Sequence, residues 1–158
     1  MWTATSTMND SKRMAPMREY ITHDLIIGLG NEMPDDNSVN MLVFKTRGTT
    51  LVLARGLMDP QKTLAETYTH QLTELRKKVT AFKCTKPAEV RVGVDRNIVA
   101  MEVQTEFTQG NALSCQYQLA CELPGETRLL ALTYSKGSTL TEADFDHWET
   151  LKQSLRFA

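Results

Sequence analysis

Three histidines (His23, His70, His147) and three cysteines (Cys84, Cys115, Cys121) are the residues best suited to nucleophilic or metal chemistry. Their spacing assembles neither. No histidine has a carboxylate or thiol at motif distance, and His23 and Asp24 are strand neighbours whose side chains alternation would point apart. Cys115 and Cys121 are six positions apart on one strand-like run, about 20 Å if extended, too far for a disulfide. No Cys-x-x-Cys pair offers a zinc site. Glu102, Glu106 and Glu122 can gather on a sheet face, but with Lys and Arg nearby a solvated face is the plainer account. Gly28-Leu29-Gly30 lacks the third glycine and the following helix of a nucleotide loop. The expectation is a protein that is not an enzyme, with no cofactor and no metal.

Composition narrows the class further. The 158 residues suit one domain with one core, and 41% hydrophobic with 23% charged residues is ordinary for a globular chain. A net charge of −1 gives no nucleic-acid footprint and no polybasic membrane anchor. No apolar run approaches 18 residues, so no direct membrane insertion is expected. The first 17 residues are polar, lack a signal-peptide core and read as a flexible arm, leaving residues 18–158 as a single domain. A cytoplasmic location with reduced thiols follows as the expectation.

The elements that must position any site centre on residues 97–123. Two alternating runs, NIVAMEVQTEF and ALSCQYQLACEL, flank a turn at Gly110-Asn111 and predict a long hairpin. Val99, Met101, Val103 and Phe107 share one face of the first run. In the second, Cys115, Tyr117, Leu119 and Cys121 face one way, and Ser114, Gln116, Gln118 and Ala120 the other. That last face is small, neutral and amide-bearing. It reads either as an ordinary exposed face or as one suited to an apolar partner with accessible backbone carbonyls.

The remaining order is βββ-α-ββββ-α. Strands are predicted at 19–27, 38–45, 49–56, 89–95 and 127–135 besides the hairpin. A helix is predicted from Asp59-Pro60 to about Val79, with Leu64, Tyr68, Leu72, Leu75 and Val79 as its apolar stripe and Gln71 set within it. Residues 81–89 are expected as a linker. A last helix is capped by Thr141 with Asp144 at N3, and buries Phe145, Trp148 and Leu151. The fold class is α+β, a twisted antiparallel sheet of six to seven strands covered by two helices.

The ordered motifs carry a resemblance. They are SVNMLVF after a Pro-Asp-Asp loop, TTLVLARGLMDPQKTLAETYTHQLTEL, the Gln-x-Gln strand SCQYQLA, LLALTYS, and a closing helix ending SLRF. Together they resemble the Eag chaperones of the bacterial type VI secretion system, a branch of the DcrB-like proteins, over residues 19–158. The arm before residue 18 departs from the family pattern. The resemblance implies a Mog1/PsbP-like fold and a cytoplasmic homodimer without enzymatic activity. It implies binding and shielding of the N-terminal transmembrane helices of a PAAR- or Rhs-type effector. The client-contacting glutamines would correspond to Gln71 and to Gln116 or Gln118. The candidate cradle is Val39, Met41, Leu53, Tyr68, Gln71, Leu72, Leu75, Gln116, Gln118 and Ala120. The alternative is a DcrB-like structural or envelope-associated protein with another partner.

Overall fold

The computed structural model describes residues 18–158, so the arm at 1–17 lies outside the described residues. The chain divides at residue 36 into two units. The first is a hairpin of β1 (Arg18–Ile21) and β2 (Ile26–Gly30), paired antiparallel. One strand over 19–27 was the expectation. Thr22 breaks it, because its hydroxyl accepts from the backbone N–H groups of Asp24 and Leu25 and closes a turn.

The second unit holds β3 (Val39–Phe44), β4 (Thr49–Leu57), α1 (Leu64–Lys78), β5 (Thr80–Cys84), β6 (Ala88–Val92), β7 (Ile98–Gln109), β8 (Ala112–Glu122), β9 (Arg128–Lys136) and α2 (Glu142–Gln153). Seven antiparallel strands run in the order β3-β4-β9-β8-β7-β5, with β6 also paired to β7. The α+β class, the antiparallel sheet and the two helices agree with the sequence reading. Two boundaries do not. Helix α1 starts at Leu64, not at Pro60, because Thr63 accepts from the N–H of Glu66 while Asp59 is used in a turn, accepting from the N–H of Gln61. The supposed linker contains β5, held where Phe82 stacks on Phe107 at 6.4 Å and Cys84 packs into a core cluster.

Alternation splits the sheet into two faces. One carries Leu51, Leu132, Tyr134, Tyr117, Leu119, Cys121, Ile98 and Ala100 and is closed by Trp148 of α2. The indole stacks on Tyr117 at 6.0 Å, and the Lys152 ammonium lies 5.6 Å from its ring centre. Lys152 is buried between the carboxylates of Glu102 and Glu149. Phe145, expected inside, is 45% exposed at the edge of the Trp148 cluster, and Asp144 and Lys152 are buried. The opposite face carries Met101, Val103, Ala120 and Leu129, closed by Tyr68 and Leu72 of α1. Gly110, at φ +62°, makes the β7–β8 turn.

The start of α2 is an ionised capping box. Asp144 accepts from the backbone N–H of Thr141 at 2.8 Å and from Lys136 at 3.0 Å. Burial works against its charge, but the Thr141 N–H and the Lys136 ammonium outweigh that and hold the carboxyl below its usual range. A depressed folded pKa gives stability that is full above the unfolded value, about 3.9, and is lost as pH falls through the folded value. Asp144→Asn is therefore expected to lower stability at pH 7 by about 1 kcal/mol or more. It should also flatten the fall in stability below about pH 4, both read by urea unfolding across pH.

Candidate functional site

The candidate residues reach the site through strand register. On the face shared with α1, β8 presents Ser114, Gln116, Gln118 and Ala120. The pairing of β8 with β9, β9 with β4 and β4 with β3 continues these positions in rows. Gln118 is in line with Thr133, Val52 and Met41. Gln116 is in line with Ser135, Thr50 and Val43, and Ala120 with Ala131, Ala54 and Val39.

Side-chain amides run along β8 as a ladder. The Tyr68 hydroxyl donates to Gln118 Oε1 at 3.4 Å. Gln118 Nε2 donates to Gln116 Oε1 at 2.7 Å and to Thr105 Oγ1 at 3.3 Å, and Gln116 Nε2 donates to Ser114 Oγ at 3.0 Å. Each glutamine is half-buried, so the ladder keeps its polar atoms satisfied while its outer side faces away from the core. Burial pushes the Tyr68 hydroxyl pKa far up, with smaller contributions from Cys84 and Glu102, so Tyr68 stays a neutral donor. Helix α1 packs on β7 and β8. Beyond it, Val39, Met41 and Val43 stay 62%, 66% and 58% exposed on β3.

The structure brings Val39, Met41, Gln116, Gln118 and Ala120 onto one face and separates others from them. Leu53 is a correction. It lies in line with Leu132 and Leu119 and packs against the Trp148 cluster, on the opposite face. Tyr68 and Leu72 are buried against the sheet, Ala120 is fully buried beneath them, and Leu75 is half-buried. Tyr68, Leu72 and Ala120 hold α1 in place. Gln71 is exposed on α1. The reading missed Val52, Ala54, Ala131, Thr133 and Ser135. Strand periodicity gives their parity, but their rows depend on pairing between distant segments.

His23 and His70 are exposed, while His147, Cys115 and Cys121 are engaged structurally. His147 Nδ1 and the Tyr134 hydroxyl share a hydrogen bond of 2.8 Å, and burial lowers the imidazole pKa. The Cys121 thiol is pushed up to about 11, first by burial and then by Glu122, which leaves it a poor nucleophile at neutral pH. Cys115 is raised by burial and by Glu106, to which it donates. Glu102 meets Lys152, Glu106 meets Lys83, and Glu122 is exposed on the other face, so the three carboxylates do not gather. Among the described residues no His, Cys, Asp and Glu side chains cluster as a metal site, and no helix is long and apolar enough to cross a membrane.

An antiparallel sheet with two helices, one face half covered and amide-lined, is an α+β architecture shared with known proteins. Residues 27–154 match the DcrB family model, and the chain belongs to the DcrB family. The crystal structure of PA94, a protein of unknown function from Pseudomonas aeruginosa, has the same fold. Its TM-score is 0.67 at 19% identity, covering 90% of this chain and 97% of that one. No curated protein matches the sequence.

The ladder gives its two glutamines unequal weight. Gln118→Ala removes the partner of a buried tyrosine hydroxyl and is expected to cost about 1–3 kcal/mol. Gln116→Ala leaves only half-buried groups unpaired and should cost less than about 1 kcal/mol. Urea unfolding of the two variants checks the order.

Proposed function

We propose that this protein is a cytoplasmic chaperone of the Eag type. It would bind and shield the N-terminal transmembrane helices of a type VI secretion effector, of the PAAR or Rhs class, before secretion. It would act as a homodimer without enzymatic activity. The observation that carries the reading is the strip running from Gln116 and Gln118 through Thr133 and Val52 to Met41, Val39 and Val43. Apolar side chains there remain exposed beside amides that are already ordered.

A transmembrane helix has about 20 apolar residues over about 30 Å. In water its exposed surface costs roughly 25 cal/mol per Å², which an apolar strip relieves. Helices rich in small residues leave carbonyls accessible, and a glutamine can donate to them without leaving its neighbour unsatisfied. Two copies would supply two walls where one sheet cannot enclose a helix.

The test is co-expression with a soluble carrier bearing an N-terminal segment of about 20 apolar residues. The wild-type protein is expected to keep the carrier soluble and to co-purify with it. Gln116→Arg and Val52→Arg place a charge in the strip and should reduce recovery at least about tenfold, a difference of roughly 1.4 kcal/mol, with far-UV circular dichroism unchanged. Failure of the wild-type protein to hold the carrier would favour a DcrB-like envelope-associated role with a different partner.

A further inference from the structure

Strand β3 ends the sheet. Among the described residues it pairs with β4 alone, so the backbone groups along its outer side form an open edge. Natural edge strands are commonly blunted by a charge, a proline or a bulge. β3 has none of these. Its residues, Val-Asn-Met-Leu-Val-Phe, are uncharged and free of proline, and its register with β4 is unbroken. Apolar side chains stand exposed on both of its faces: Val39, Met41 and Val43 on one, Leu42 on the other. An uncharged edge of unbroken register with apolar side chains above and below fits another strand.

We propose that β3 pairs antiparallel with β3 of a second copy, about a two-fold axis at Met41, so that two sheets run on as one. Residues opposite each other in an antiparallel pair share a face. An axis at Met41 therefore sets Met41 against Met41, Val39 against Val43 and Asn40 against Leu42. All six large apolar side chains of the open face then meet in one cluster, and no charges oppose. An axis at Leu42 would set Val39 against Lys45, and one at Asn40 would leave Val43 opposite Asn37. An axis between Met41 and Leu42 would pair residues from opposite faces, which the pleat forbids. The strand is thus complementary to itself in one register, and this selects a second copy over an unrelated peptide.

The inference shares with the proposed function the pairing of two copies and adds where they meet. Contact at the edge leaves the amide-lined strips of both copies open and makes them continuous. Four strands from each copy, at about 4.8 Å spacing, give a strip roughly 34 Å across.

Light scattering without any client tests the pairing by itself. The wild-type protein is expected to have the mass of two copies. Met41→Glu, which sets two carboxylates at the axis, should have the mass of one, with unchanged circular dichroism. Under mild oxidation Met41→Cys should form a covalent pair, since opposed Cα atoms about 4.5–5.5 Å apart suit a disulfide. Leu42→Cys, opposite Asn40, should not, nor should the wild-type protein with its native thiols. A wild-type mass of one copy overturns the inference. So does a pair that survives Met41→Glu while Met41→Cys stays uncross-linked. Carrier capture by a single copy would leave the chaperone reading standing without this interface. A Met41-dependent pair that captures no carrier would do the reverse.

Discussion

On strand β8 the alternate side chains from Tyr117 to Cys121 are committed to the Trp148 cluster. Tyr117, Leu119 and Cys121 meet α2, and the intervening positions are left to α1 and to the open strip. Because side chains alternate with period two, the register of this strand decides both cores at once. A slip of one residue would carry Gln116 and Gln118 into the aromatic cluster and bring Tyr117 and Leu119 out. The burial of one face thus fixes the position of the amides on the other.

The two helices cover their faces unequally. α2 closes its face with a fully buried indole and a buried lysine held by two carboxylates. Such a lysine is tolerated because its charge is matched on both sides and its stem lies against the indole. α1 covers β7, β8 and the start of β9 at Leu129, through Tyr68 and Leu72, and Val39, Met41 and Val43 of β3 stay exposed on that side. The half-covered face is not a defect of packing, since its polar groups form an ordered ladder and its apolar groups fall in rows.

Local pattern made much of this visible. The hairpin over β7 and β8, the two faces of β3, and the Thr141–Asp144 box are written in period-two alternation and capping chemistry. The Thr63-x-x-Glu66 signature was equally local, but Asp59-Pro60 competed with it, and both can start a helix. β5 was not legible, because five residues with a bulge at Ala81 acquire strand geometry only when β7 accepts them. Leu53 was misplaced for a related reason. Its strand is apolar on both sides, so alternation names two faces without telling which one meets α2. Only the pairing through Leu132 to Leu119 resolves it. The strip itself joins four strands from distant parts of the sequence.

Trp148 offers an optical consequence. It is fully buried, parallel to Tyr117 within 11°, with a cation over its ring, and it sits on the side of the sheet away from the amide ladder. Its emission therefore monitors the integrity of the α2 side. Loading of the ladder side would pass unseen by this indole unless the sheet between them deformed. Quiet Trp148 emission during loading, read with Trp2 replaced by Phe, would then signify a rigid plate between two chemically independent compartments.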